Sequence, residues 1–321
     1  MLRDDGWIWS EKRKQLHTTL ADLVRFTEPD LKAGNYSFRL WHHEGYYMIL
    51  LGAWIRGFKS AKAIELLCAQ GLSGDAESVL RTLVELLITI RYIAAENQNE
   101  RTRRYFEYGV IEKKKQMGAI EANEKAKSML AGLSDDVRKD LQEQFEQVVA
   151  KRSKRDGSFL DRAWFSVRIS LSRLVIFHRL WPSIGSWSGH SIETMAHMTD
   201  LAVYYDVIYR QASEVIHARD LLRQYDFADK VGLDLTKGIK PHLPPDHTAS
   251  EEVLASTLIA FSALLETVYQ ELQLPRLDDL KKNHAEMITV LQTIRGPALD
   301  RHQSGTNGAW NSGGHQIYQL K

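Results

Sequence analysis

Four side chains with chemical potential fall close together in Tyr204-Tyr205-Asp206-Val207-Ile208-Tyr209-Arg210-Gln211-Ala212-Ser213-Glu214-Val215-Ile216-His217: Arg210, Ser213, Glu214 and His217. The stretch has helical periodicity and contains neither Gly nor Pro. At about 100° per residue, a spacing of seven returns a helix to within roughly 20° of its start. Arg210 and His217 then share a face, about 10 Å apart along the axis at about 1.5 Å per residue. A guanidinium grips phosphate oxygens in a fork. An imidazole, with an ordinary pKa of about 6.5, exchanges protons at neutral pH. Ser213 or Glu214, lying between them, would orient the imidazole.

The same spacings support a second reading. Ser213 and His217 are four apart, as are Arg210 and Glu214, so each pair could satisfy itself in a polar seam between helices. Arg81 and Glu85, four apart on an earlier helix, would complete that seam. Arg before Glu is the poorer order for an exposed pair. On an apolar helix each of these charges needs a partner, either the other or a group from a neighbouring helix. A third use of the same residues is a seat for a small ligand or phosphate.

The elements that must position these residues read as helices throughout. Residues 7–26 are amphipathic, with a break expected at Glu28-Pro29-Asp30. Residues 38–70 are helical again. Gly45, Gly52 and Gly57 there predict either close helix packing or a break near Gly57. Gly71-Leu72-Ser73-Gly74-Asp75 is a stop followed by a start, with Asp75 as the expected N-cap. Residues 75–95 are apolar nearly all round and should be the central, buried helix. Helices are also expected over 101–130, 134–149, 164–180, 191–201, 204–224, 251–272 and 277–293. Residues 226–250, with Pro241, Pro244 and Pro245, read as irregular. No segment shows a period-2 strand pattern and no internal repeat is present. The fold expected is all-α, a bundle of roughly nine to eleven helices at ordinary lengths. One domain covers 1–295, with a subdomain boundary near the basic, breaker-ended run at 151–158. Residues 296–321, rich in Gly, Ser and Asn, read as a mobile tail.

Composition narrows the function classes. A formal net charge of +1 gives no global field for nucleic acid, so any RNA contact must use a local patch. The single cysteine, Cys68, cannot build a disulfide framework or a cysteine-based zinc site, and reads as a small core residue. The N-terminus lacks a signal-peptide layout, and residues 46–55 are too short to span a membrane. The apolar run 79–95 carries Arg81, Glu85 and Arg91. A soluble cytoplasmic protein, with no membrane association, is therefore expected. His190, Glu193 and His197 share a helical face but find no matching second helix. Trp41-His42-His43-Glu44 points its two histidines about 100° apart. Both read as surface polar residues, and no metal or cofactor is expected. The runs 113–115 and 151–155 read as solvated charge. His242 and His247 carry no specific signal, and no phosphate loop, dinucleotide fingerprint or nucleophile elbow occurs.

Two resemblances add to this reading. Arg210, Gln211 and His217 follow the Arg-x6-His pattern of the HEPN superfamily, in which a polar residue often follows the Arg. Tyr209, Ser213 and His217 match the Tyr-x3-Ser-x3-His helix of an uncharacterised family of bacterial helical proteins, a domain of unknown function. Gly71, Leu72, Ala76, Arg81 and Glu85 match that family's earlier helix. The HEPN resemblance implies small helical bundles and metal-independent endoribonuclease activity, with His217 as acid or base and Arg210 on the phosphate. It also implies a site composed across a homodimer interface, and a toxin or phage-defence setting. Tyr209, Arg81 and Glu85 would support the site. The competing expectation is a non-catalytic helical module for a protein or ligand partner, in which the same residues form the buried seam.

Overall fold

The computed structural model of the chain describes residues 10–33, 44–121, 123, 135–155, 187–216, 225–227, 239–241 and 249–295. The fold is all-α. Among the described residues the α-helices are α1 (Glu11–Ala33), α2 (Glu44–Ala69), α3 (Ser73–Ala95), α4 (Gln98–Glu121), α5 (Asp135–Arg155), α6 (Ile192–His197), α7 (Arg210–Ile216), α8 (Ser250–Glu271) and α9 (Leu277–Arg295). A π-helical segment, Tyr204–Tyr209, runs directly into α7. Within the region read as irregular, β1 (Tyr225–Phe227) pairs antiparallel with β2 (Ile239–Pro241), in the register Asp226 to Lys240. Three residues a side are too few to show an alternating sequence pattern. The helix expected over 164–180 and the tail at 296–321 lie outside the described residues.

The chain divides into two compact units, residues 1–95 with 192–321 and residues 96–191. The boundaries between these units fall at the end of α3 and before α6. Residues 151–155 of the basic run form the end of α5, and residues 156–158 lie outside the described residues.

In the first unit α1, α2, α3 and α8 pack around one core. Leu16, Leu20, Leu50, Trp54, Ile64, Leu83, Leu87, Phe261, Leu264 and Tyr269 are fully enclosed. The central place expected for α3 is shared with α8, whose buried residues run from Ser250 to Tyr269 around most of its circumference. Among the described residues α8 is also the one helix long and apolar enough to cross a membrane, and 72% of that apolar window is buried inside the protein. Gly57 explains how tightly α2 approaches α8: a Cβ there would run into Leu264 Cδ2. The helix continues through Gly57 without a break.

Helix ends account for two further differences from expectation. Gly71, at φ 73°, ends α2 in a left-handed turn. Leu72 N–H donates to the Leu67 carbonyl at 2.9 Å and Gly71 N–H to that of Cys68 at 3.3 Å. α3 then starts at Ser73, which leaves Asp75 in the first turn rather than at the cap, still well placed against the helix dipole. α1 runs through Pro29. Tertiary contacts hold its last turn from outside. Arg276 Nη1 donates to the Phe26 carbonyl at 2.9 Å and to Asp30 Oδ2 at 3.1 Å, and Tyr269 Oη donates to the same carboxylate at 2.5 Å. The Arg276 guanidinium also sits 3.8 Å over the Phe26 ring.

In the second unit α4 packs on α5, burying Ile111, Met117 and Leu141. Arg103 is clasped between Glu100 and Glu107 along α4. Lys115, in the lysine run, pairs with Glu112 at 2.6 Å and lies 5.8 Å over the Tyr108 ring.

Candidate functional site

The focal helix does not keep α periodicity from end to end. Arg210 N–H donates to the Tyr205 carbonyl, five residues back, which closes the wider π turn. This turn places Tyr205 and Tyr209 ring on ring, with centroids 5.0 Å apart and planes 20° apart. From Arg210 onward the chain is α-helical to Ile216. Single π turns inside helices recur at functional sites, because they re-aim side chains that an uninterrupted helix would point elsewhere.

Tyr209 is buried, and its hydroxyl accepts a hydrogen bond from Arg81 Nη2 at 2.9 Å. The Arg81 guanidinium carbon lies 4.9 Å from the centre of the same ring, so one tyrosine holds it through both hydroxyl and π face. Of the two partners open to Arg81, Glu85 or a group from a neighbouring helix, it takes the second: it turns to Tyr209, and among the described residues it makes no ion pair with Glu85. The physical reason is the competitor. A phenol from the facing helix offers both an acceptor and a ring, whereas Glu85 lies on the unfavourable side for an Arg-first pair. The residues that sequence spacing placed on two separate helices, Arg81 and Tyr209, thus meet directly.

Arg210 lies in different surroundings. Its side chain is 63% exposed, and its one ion pair among the described residues, to Asp206 Oδ1, is long at 3.4 Å. Its guanidinium carbon lies 6.0 Å from the Tyr205 ring. Ser213 is half-buried on α7, and Glu214 belongs to the same helix. His217, together with the side chain of Glu214, lies outside the described residues. Gln211 Nε2 reaches Glu252 Oε2 of α8 at 3.5 Å, which ties the start of α7 to the core helix.

Tyr205 joins the two arginines into one row: Arg81, Tyr209, Tyr205, Arg210. Burial pushes the Tyr205 hydroxyl above its ordinary pKa, and the nearby Glu193 carboxylate adds to this while Arg210 opposes it. Tyr205 was not picked out by sequence reasoning. The only available signal was a tyrosine four residues before Tyr209, which a helix of either kind brings near it.

The other candidates resolve simply. His190, Glu193 and His197 are exposed, and among the described residues no three His, Cys, Asp or Glu side chains gather to hold a metal ion. His42, His43, His242 and His247 lie outside the described residues. Cys68 is buried, and burial pushes its thiol up to about 12, which keeps it protonated and unreactive.

No curated protein and no solved structure matches this chain. One family does match. Residues 47–229 take in α2 and α3 with Arg81 and Glu85, and the segment carrying Tyr209, Ser213 and His217. Over that span, more than half its length, the chain belongs to the family of unknown function DUF5677.

Proposed function

We propose that the chain is a HEPN-like, metal-independent endoribonuclease, working as a homodimer in a toxin or phage-defence system of the cytoplasm. The observation that supports this reading is the open guanidinium of Arg210, 63% exposed and held, among the described residues, by one long ion pair. An arginine serving only a buried seam would be enclosed and fully paired. In this mechanism Arg210 binds a phosphate of RNA and stabilises the charge that builds on its oxygens. His217 takes the proton of the neighbouring 2′-OH as that oxygen attacks phosphorus. A proton is then delivered to the departing 5′-oxygen, leaving a cyclic phosphate and a free 5′-OH. Ser213 or Glu214 orients the imidazole.

A second reading has its own observation. The half-buried contact between Tyr209 and Arg81 welds the focal segment to α3, as a helical module for a protein or ligand partner would require. One experiment separates the two. Purified wild type, His217→Ala and Arg210→Gln are incubated with RNA in EDTA. The ribonuclease reading expects cleavage by wild type and its loss in both variants. Equal cleavage by wild type and His217→Ala, or none by wild type, leaves the binding module. Light scattering of wild type checks the dimer.

A further inference from the structure

The mechanism above uses Arg210 and leaves Arg81 without a task. Arg81 is partly buried, its Nε is enclosed and makes no hydrogen bond, and no carboxylate among the described residues forms an ion pair with it. Its contacts are the hydroxyl and ring of Tyr209. A partly buried cation facing a neutral phenol lacks the counter-charge that normally offsets its desolvation. The Tyr209 hydroxyl accepts from Arg81, which leaves its own proton to donate. Guanidinium and hydroxyl proton side by side are the donor set for an anionic oxygen.

We infer that Arg81 and Tyr209 form an anion seat that takes a phosphate group of the nucleic-acid chain, separate from the phosphate held by Arg210. The seat itself rests on Arg81 having no carboxylate partner among the described residues. Its assignment to RNA rests on the ribonuclease reading. The row of side chains gives it a place in that reading. Arg81 is 4.9 Å from the Tyr209 ring, Tyr209 is 5.0 Å from Tyr205, and Tyr205 is 6.0 Å from Arg210. Two cations joined through two stacked rings grip a polyanion at two points and fix which bond lies at Arg210.

The test uses inorganic phosphate as probe, followed by thermal unfolding of the full chain at constant ionic strength, with chloride as the control anion. Phosphate should raise the Tm of wild type. Arg81→Gln should weaken the apparent phosphate affinity about tenfold or more, and Arg81→Lys, which keeps the charge but loses the fork, by less. Tyr209→Phe keeps the ring and removes only the hydroxyl. It should also weaken phosphate binding, and it decides the matter should Arg81→Gln fail to fold. The same phosphate response in wild type and in the folded variant overturns the seat, as does no response in wild type. Cleavage of RNA by the same proteins is scored separately. A phosphate response dependent on Arg81, without cleavage dependent on His217, sustains the seat and ends the ribonuclease reading. Cleavage dependent on His217 with an unchanged phosphate response does the reverse.

Discussion

Removing the hydroxyl of Tyr209 and removing the charge of Arg210 are expected to have opposite balances of effect. Tyr209→Phe leaves Arg81 Nη2 without its acceptor in a half-buried setting. A hydrogen bond to a charged donor contributes about 1.5–3 kcal/mol, so a loss of about 1–2 kcal/mol in urea unfolding is the expected outcome. Arg210→Gln removes one long, exposed ion pair and should change stability by less than about 0.5 kcal/mol, while abolishing RNA cleavage. If Arg210→Gln unfolds as easily as Tyr209→Phe, Arg210 belongs to the scaffold. The sequence carried part of this distinction. Spacing and the family pattern singled out Arg81, Tyr209 and Arg210. They could not tell which arginine was held and which was open, because that depends on the partner that crosses from another helix. Spacing offered Arg81 either Glu85 or a group from a neighbouring helix and could not choose between them: intrahelical neighbours are visible in one dimension, and a phenol 128 residues away is not.

The elements were legible in type and less so in their joints. Periodicity marks a helix, but α and π turns use the same residues, so the π segment Tyr204–Tyr209 was invisible to it. Pro29 reads as a helix end, yet α1 continues because Asp30 and Phe26 are bound by Tyr269 and Arg276 from the far end of the chain. The glycines of α2 show the same limit, since sequence alone gives two of them equal weight. Gly57 faces Leu264 at the core, whereas Gly52 is exposed with open space where a Cβ would go. Gly52→Ala should therefore stabilise the protein by up to about 1 kcal/mol, the usual gain at an exposed helix interior. Gly57→Ala should destabilise it by about 1–3 kcal/mol, because the fully buried Leu264 side chain must leave the place its Cδ2 now fills against α2. Thermal unfolding of the two single variants gives opposite signs of Tm change if α2 packs on α8 in this way. Like signs would place Gly57 away from that interface.

Across the whole molecule, fold class was the most legible property. Apolar residues at helical spacing recur along most of the chain, and they fix the all-α class. The division after α3 carries no breaker, since a boundary is made by which helices share a core and not by composition. The same principle governs the response of the first unit to acid. Glu266 of α8 is held below its ordinary range chiefly by His284 of α9, whose Nδ1 lies 3.7 Å from Glu266 Oε2, with burial opposing and Arg91 of α3 and Lys281 assisting. Three helices thus meet at one carboxylate. Because its folded pKa is depressed, the native state binds fewer protons there than the unfolded chain does. The stability it contributes is fully present above the unfolded pKa of about 4.3 and is lost as pH falls through the lower, folded value. Glu266→Gln should consequently be less stable than wild type at neutral pH, and the two urea-unfolding curves should converge as pH drops below about 4.3. A gap that stays constant down the acid limb would mean that the carboxylate acts by shape alone and that the α8–α9 contact carries no charge-dependent share of stability.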